Sequence, residues 1–128
     1  MSSPFLTIIT RTYKRPGLLR RCVNSVLAQS CDDYQFVILY DEVERGIQGS
    51  FEYAASEPEP YTGRYIYMLD DDNELCDPDF VKRLRDVANE YDPDVIMVQA
   101  QHPDLGDIPR PWGIRPVGGM VDLACFVV

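Results

Sequence analysis

The sequence predicts an α/β domain in which a mostly parallel sheet is flanked by helices. Short apolar runs rich in β-branched and aromatic residues alternate along the chain with segments whose apolar residues recur at helical spacing. That alternation is typical of parallel strands joined by crossover helices. With 128 residues, 45% of them hydrophobic and 26% charged, the chain is long enough to bury a core. We therefore expect residues 1–128 to form a single domain.

The first strand and the first helix are predicted near the amino terminus. Phe5–Thr10 is an apolar run rich in β-branched residues, which favours a strand. Pro16 suits the first turn of a helix, because the N–H that proline lacks would be unpaired there. Leu18–Gln29 carries apolar residues at helical spacing, which predicts an amphipathic helix.

The later elements continue the alternation. Apolar runs, as expected for strands covered on both faces, predict strands at Phe36–Tyr40, Tyr65–Leu69, Val95–Val98 and Met120–Val128. Helical spacing predicts a helix at Ile47–Ser56 and another at Phe80–Tyr91 with Asp77 as its N-cap. Residues 103–119 are rich in proline and glycine, which predicts a long loop.

Charge is distributed unevenly along the chain. Residues 1–31 hold five basic residues and no carboxylate, whereas the whole chain has 12 basic and 21 acidic residues and a net charge of −9. An acidic protein lacks the basic footprint of nucleic-acid binding, so we expect no nucleic-acid partner. The cationic amino-terminal part can still receive an anionic small molecule.

The sequence carries no recognisable targeting signal. No apolar run approaches the ~18 residues that a membrane span requires, and Met1–Pro4 lacks the basic start of a signal peptide. The four cysteines form no C-x-x-C pair, so neither a zinc site nor a disulfide framework is indicated. We therefore expect a cytoplasmic protein with reduced cysteines and no membrane span.

Three consecutive aspartates, Asp70, Asp71 and Asp72, directly follow the third predicted strand. Adjacent carboxylates at the end of a buried strand repel one another unless a cation or a basic group offsets them. Asp70 and Asp72 project to the same side of an extended chain. Their oxygens suit Mn²⁺ or Mg²⁺, with positions left open for phosphate oxygens. The triplet therefore predicts a divalent metal site.

Three other interpretations of the triplet stay open. It could be a solvated, aspartate-rich turn. It could be a calcium loop, although Leu75 stands at the sixth position, where such a loop needs glycine. It could also be a phosphatase-type site with Asp70 as the nucleophile, although the chain supplies no obvious partners for that chemistry.

Other candidate residues follow the predicted strands, where open α/β sheets bind their ligands. Asp41 could accept hydrogen bonds from a ribose or a base, or it could cap a helix. Tyr13 could stack on a base or pack within its loop. His102, the one histidine, could reach a metal or be incidental. The sequence contains no glycine-rich phosphate loop, so metal and arginine would have to neutralise a bound pyrophosphate.

Several segments share one family pattern. Ile9–Pro16 reads Ile-Thr-Arg-Thr-Tyr-Lys-Arg-Pro, and Ser25–Gln29 reads Ser-Val-Leu-Ala-Gln. Asp41 ends the second strand, and Tyr65–Phe80 contains Leu-Asp-Asp-Asp and Pro-Asp-Phe. In this order, over residues 4–98, they resemble the start of glycosyltransferase family 2 domains. Those domains begin with a strand, a Pro-Thr-Tyr-Asn-Arg turn and a helix that ends in Ser-Val-Leu-Ala-Gln.

The resemblance implies a Rossmann-like GT-A fold, in a minimal or truncated form, that binds a nucleotide sugar. It implies a nucleoside-diphosphate-sugar donor, with a UDP-sugar expected, and a Mn²⁺ or Mg²⁺ ion. By position, the nucleotide-side residues would be Thr12, Tyr13, Arg15, Asp41 and Arg64, and the D-x-D site for metal and ribose would be Asp70 and Asp72. We add Asp71 to the donor-binding residues and His102 to the metal candidates.

The acceptor side of the family pattern is missing. The family's acidic general base, in a Glu-Asp type motif further along, has no counterpart here. Arg11 stands where the family commonly has proline. Asp122 is the only downstream carboxylate in a strand context, so we take it as the candidate base or acceptor contact, unless it is a capped or exposed strand residue.

Three hypotheses about function follow. The chain could be a minimal glycosyltransferase acting on a saccharide or another hydroxyl acceptor. It could be a catalytically silent donor-binding domain. It could also be another metal-dependent phosphate-handling enzyme, such as a phosphatase or a nucleotidyltransferase. An unpaired edge at the final strand would also favour a homo-oligomer.

Overall fold

The computed structural model describes residues 3–41, 61–102, 106–108 and 126–128. These residues form seven strands and two helices, arranged as a five-stranded sheet and a separate two-stranded hairpin. In chain order the elements are β1 (Leu6–Thr12), α1 (Pro16–Leu27), β2 (Tyr34–Tyr40), β3 (Tyr65–Met68), α2 (Phe80–Tyr91), β4 (Ile96–Met97), β5 (Ala100–His102), β6 (Gly106–Ile108) and β7 (Phe126–Val127). Neither described helix has the length and hydrophobicity needed to cross a bilayer.

The five-stranded sheet has the order β2-β1-β3-β7-β4. β1 lies parallel to β2 on one side and to β3 on the other. β7 runs antiparallel between β3 and β4. The predicted fold class, a mostly parallel α/β sheet flanked by helices, is confirmed.

Both helices bury their apolar sides in one core. The core residues of α1 are Cys22 and Val26, and those of α2 are Val81, Leu84 and Ala88. They pack with the strand residues Leu6, Ile8, Tyr65, Tyr67, Ile96 and Val127. A smaller cluster contains Ile9 and Leu39. β1 lies inside the sheet, between β2 and β3, and all its residues except Arg11 are buried.

Several predicted boundaries are corrected by the structure. β7 spans Phe126–Val127 within the predicted Met120–Val128 strand, of which residues 120–125 lie outside the described residues. Gly106–Ile108, predicted as loop, pairs with β5 as a hairpin strand. Asp77 is not the N-cap of α2, because Asp79 occupies that position and donates its N–H to Asp77 Oδ1 at 2.9 Å. The predicted helix at Ile47–Ser56 lies outside the described residues.

Candidate functional site

The strand order reverses between β1 and β3. The chain forms β2 on one side of β1 and then returns to form β3 on the other side. Because these three strands are parallel, their carboxyl ends lie at the same edge of the sheet. Open α/β sheets bind ligands in the crevice at such a reversal. Here Thr12 ends β1, and the aspartate triplet follows β3.

An ion pair joins the two strands at this edge. Arg11 Nε donates to Asp70 Oδ1 at 3.1 Å, and the two side chains are 19% and 23% exposed. Backbone pairing brings them together, because Leu69 N donates to the Ile9 carbonyl at 2.9 Å. The charge of Asp70 is thus offset by arginine.

Asp71 is buried beneath the turn that joins β1 to α1. Its Oδ2 accepts hydrogen bonds from Thr12 Oγ1 at 2.9 Å and from Arg15 Nε at 3.1 Å, and its Oδ1 accepts from Arg15 Nη2 at 2.5 Å. The Asp71 side chain is 0% exposed. We predicted that Asp71 contacts the donor, but its carboxylate faces protein groups and does not reach the surface.

Asp72 is the exposed member of the triplet. The structure gives its side chain no hydrogen bond or ion pair with another described residue. Since Arg11 and Arg15 face three aspartates, the five side chains together carry a net charge of −1.

The loop after the triplet is hydrogen-bonded to Ser25 of α1 and to Gln29, which follows α1. Ser25 Oγ accepts a hydrogen bond from Leu75 N at 2.9 Å. Gln29 binds at two points: its Nε2 donates to the Asp77 carbonyl at 2.8 Å, and its Oε1 accepts from Val81 N at 3.1 Å. Ser25 of α1 and Gln29, just after the end of α1, therefore hold the segment between β3 and α2.

A cleft of about 590 Å³ opens beside this loop. Apolar residues of α2 and β4, including Phe80, Leu84 and Ile96, line part of it. Asp72 and Glu74 line it at the loop. One exposed carboxylate of the triplet thus borders a cavity large enough for a small organic group.

The turn between β1 and α1 has an unusual backbone. Lys14 has a φ of 51°, in the left-handed region, and its Nζ lies 5.3 Å from the centroid of the Tyr13 ring. Asp41 is held beside this turn, because its N–H donates to the Thr12 carbonyl at 2.9 Å. Tyr13, Arg15 and Asp41 therefore lie at the same sheet edge as the triplet.

Arg64 lies away from this group. It precedes β3, at the amino end of the strand, and its guanidinium pairs with Asp92 and stacks 5.2 Å from the centroid of the Tyr65 ring. We correct the prediction that it belongs to the nucleotide side, because the carboxyl and amino ends of a strand lie at opposite edges of the sheet.

Two predicted residues have no described side chain. His102 is placed on β5, where it pairs in backbone register with Gly106. Asp122 lies outside the described residues. Their predicted roles as metal ligand and general base therefore stay predictions.

The carboxylates at this edge fit one kind of divalent metal site better than another. The described residues contain no cluster of three or more His, Cys, Asp or Glu side chains arranged to hold a metal ion. Asp70 and Asp72 offer carboxylate oxygens at one strand end. This suits Mg²⁺ or Mn²⁺, ions that bind through one or two carboxylates and complete their coordination with water and phosphate oxygens. It does not suit a metal caged entirely by protein.

Cys22 lies in the core close to the triplet. Burial raises the pKa of its thiol, a hydrogen bond with Thr10 at 3.7 Å opposes that shift, and the negative charges of the three aspartates add to it. Cys22 is therefore a protonated packing residue and not a nucleophile.

Sequence reasoning missed three residues that build the site. Arg11 was predicted only as part of a cationic segment, and Ser25 and Gln29 only as part of a family pattern. A basic residue at the end of one parallel strand and a carboxylate at the end of the next could have indicated the Arg11–Asp70 pair. The contacts of Ser25 and Gln29 depend on a loop about fifty residues away, so no local pattern predicts them.

The fold is similar to that of solved glycosyltransferase structures. The first 349 residues of S. aureus TarS, a glycosyltransferase, match with a TM-score of 0.65 and 14% identity, over 83% of this chain and 38% of that chain. A longer TarS structure matches equally well over 23% of its length. The 1–349 structure in complex with UDP matches with a TM-score of 0.62 and 12% identity.

The match covers only part of TarS and does not extend to sequence families. This chain spans less than two fifths of the TarS chains that it matches. No protein-family model and no curated protein sequence matches it. At such low identity the similarity establishes the fold.

Proposed function

We propose that this chain is the nucleotide-sugar-binding part of a glycosyltransferase. The observation that carries the proposal is the joining of the β1–α1 turn to the aspartate triplet at the β1/β3 reversal, through Arg11, Arg15 and Thr12. The likeness to TarS, one of whose structures contains UDP, supports a UDP-sugar as the donor. The family 2 resemblance of the sequence agrees with this assignment.

Different residues at this edge would contact different parts of the nucleotide-sugar donor. The Arg15 side chain is 49% exposed, and its guanidinium can donate to phosphate oxygens. Asp41 can accept hydrogen bonds from the ribose or the base, and Tyr13 can stack on the base. The carboxyl edge of the sheet therefore offers a hydrogen-bond donor for phosphate, an acceptor for ribose or base, and an aromatic ring for stacking.

We propose that Asp72, with Asp70, holds Mn²⁺ or Mg²⁺ beside the diphosphate. When bound, the ion would supply positive charge to the departing diphosphate. In support, the three aspartates outnumber Arg11 and Arg15 by one charge. His102 is a further candidate ligand.

For transfer, we propose Asp122 as the group that accepts the proton of the acceptor hydroxyl. The acceptor oxygen would bond to the anomeric carbon as the bond to the diphosphate oxygen breaks. General base catalysis of this kind typically contributes ~10²–10⁴-fold in rate. If no group takes that role, the chain binds the donor without transferring the sugar.

The test is calorimetric titration of UDP with and without Mn²⁺. We expect Mn²⁺-dependent binding in the wild type and a loss of at least about tenfold in affinity in Asp72→Asn, because the exposed carboxylate of Asp72 is removed. Asp86→Asn is the matched control, since Asp86 is an exposed aspartate on α2 that pairs only loosely with Lys82 at 4.0 Å. It should bind UDP like the wild type.

Two results would contradict the proposal. One is the absence of UDP binding to the wild type in the presence of either ion. The other is equal, metal-independent binding by the wild type and Asp72→Asn. The role of Asp122 is tested separately by the rate of UDP-sugar turnover, which Asp122→Asn should abolish while UDP affinity is retained.

A further inference from the structure

Asp71 differs from its two neighbours in the triplet. It is the one charged residue among the buried residues that the structure describes, with a residue exposure of 1%. A carboxylate taken out of water costs folding free energy unless hydrogen bonds and an opposite charge compensate it. A buried aspartate beside an exposed one at a ligand-binding edge therefore needs an explanation.

All the compensation comes from the β1–α1 turn. Arg15 binds Asp71 with a fork, through Nε to Oδ2 at 3.1 Å and Nη2 to Oδ1 at 2.5 Å, and Thr12 Oγ1 adds a third hydrogen bond at 2.9 Å. Two parallel N–H···O bonds fix the plane of a guanidinium as well as its distance. Asp71 therefore determines the orientation of Arg15.

The fork leaves part of Arg15 available. Nε and Nη2 point to Asp71, whereas Nη1 has no hydrogen-bond partner among the residues that the structure describes. Half of the Arg15 side chain, 49%, is exposed. A group held in this way pays less conformational entropy when it binds a ligand than a freely rotating arginine does.

We propose that Asp71 is a positioning residue that acts through Arg15 and presents its free Nη1 donors to the diphosphate of the donor. This rests on the proposed function, in which Arg15 binds phosphate. Within the triplet, Asp71 then contacts neither the donor nor the metal, and only Asp70 and Asp72 face the ligand.

An orienting role and a purely neutralising role of Asp71 predict opposite changes in anion affinity when its carboxylate is removed. If Asp71 only neutralised Arg15, its removal would free a positive charge and strengthen binding of an anion. If Asp71 orients Arg15, its removal weakens that binding. We expect orientation to dominate, because an exposed cation is screened at physiological salt, with a Debye length of about 8 Å, whereas the direction of the Nη1 donors depends on the plane of the guanidinium, which the fork to Asp71 fixes.

The experiment compares UDP with uridine in the presence of Mn²⁺. UDP affinity is measured by calorimetry, and uridine binding by the amide shifts in NMR titrations. Asp71→Asn keeps the side-chain shape and should weaken UDP binding about tenfold while leaving uridine binding unchanged. In an Arg15→Gln background, the same substitution should have no further effect on UDP affinity, because the residue through which Asp71 acts is gone.

Asp33→Asn is the matched control. Asp33 also forms an Arg–Asp pair, with Arg85 at 3.3 Å, and accepts a backbone hydrogen bond from Phe5 at 3.0 Å, at the amino end of the strands. Its loss should lower stability without changing the preference for UDP over uridine. A purely structural role of Asp71 would instead weaken both ligands together.

Arg15→Lys keeps the test decisive if Asp71→Asn does not fold. Lysine conserves the charge but cannot form the fork, so we expect the preference for UDP over uridine to fall. The proposal is overturned if Asp71→Asn binds UDP as tightly as the wild type or more tightly, if it loses uridine equally, or if Arg15→Lys binds like the wild type. A wild type that binds neither ligand would instead refute the proposed function.

Discussion

Lys14 occupies a backbone conformation that few residues with a side chain adopt. Its φ of 51° is left-handed, which costs most L-residues roughly 1–2 kcal/mol and is tolerated best by glycine and asparagine. The turn that carries Arg15 therefore holds Lys14 in a conformation that asparagine would adopt at lower cost.

We predict that Lys14→Asn stabilises the protein by about 0.5–1 kcal/mol. Asparagine relieves the backbone strain, and the gain is reduced by loss of the cation–π contact with Tyr13. Urea unfolding measures the difference. Lys82→Asn, at an exposed position of α2, is the control and should lower stability slightly, since asparagine is the poorer helix former. A destabilised Lys14→Asn would contradict this account.

At the same scale, the sequence predicted the grouping of the aspartates but not their surroundings. Alternation along an extended chain separates Asp71 from Asp70 and Asp72, and the structure buries Asp71 alone. The pairing with Arg11 and Arg15 depends on the register of β1 against β3, which is a non-local property. Arg64 was assigned to the nucleotide side although it precedes β3 in sequence, and the structure places it at the amino end of that strand, away from the triplet.

At the scale of elements, hydrogen bonds join the segment just before β3 to β1 and β2. Gly63 N donates to Thr7 Oγ1 at 2.8 Å, and Thr7 Oγ1 donates to Gln35 Oε1 at 2.9 Å. Gly63 also lies against the β1 backbone: a Cβ there would be 2.4 Å from Thr7 N and 2.6 Å from the Leu6 carbonyl carbon. Neither backbone atom can move aside without disturbing the sheet.

Gly63→Ala should therefore destabilise the protein by about 2–3 kcal/mol, whereas Gly17→Ala in α1 should stabilise it by about 0.5–1 kcal/mol. The same chemical change has opposite signs because a Cβ at Gly17 meets nothing within 4 Å. Denaturant unfolding of both variants tests the pair. Similar effects at the two glycines would show that close approach to β1 is not what requires Gly63.

The elements that sequence reasoning predicted are those with a strong local signal. The continuous apolar run of β2 and the helical periodicity of α1 and α2 specify their type without help from the rest of the chain. The β5–β6 hairpin was not predicted, because short strands depend on their partners for stability. Turn-forming residues in 103–119 also concealed β6.

In the whole molecule, the basic residues of the amino-terminal part form ion pairs with acidic residues further along the chain. The cationic amino-terminal part folds against the acidic segment that follows β3. The observed pairs are Arg11–Asp70, Arg15–Asp71 and Arg21–Glu74. These pairs offset three of the carboxylates at the site edge, and Asp72 has no ion pair among the described residues.

Stability of the whole chain should fall at alkaline pH. Burial raises the pKa of Cys22 above its ordinary value of 9.0, so the folded state keeps a proton that the unfolded state releases. The contribution is fully present below about pH 9 and is lost as the pH rises through the folded-state pKa. Burial also raises the pKa of Tyr34, which acts in the same direction.

Unfolding free energies at about pH 8 and pH 10.5 check this prediction. Cys22→Ala should lose less stability over that interval than the wild type, although it starts lower because it leaves a cavity. The control, Cys76→Ala, changes an exposed thiol and should lose as much as the wild type. Equal losses in Cys22→Ala and the wild type would exclude a linkage through Cys22.

The antiparallel insertion of β7 has a consequence for the order of folding. β4 joins the five-stranded sheet through β7, which pairs Ile96 with Val127 and Met97 with Phe126. During synthesis β4 leaves the ribosome before that neighbour exists, while β1, β2 and β3 can already assemble. We expect the β4 edge to be the last part of the sheet to close, and the nascent chain to expose an unpaired strand until residues 126–128 emerge.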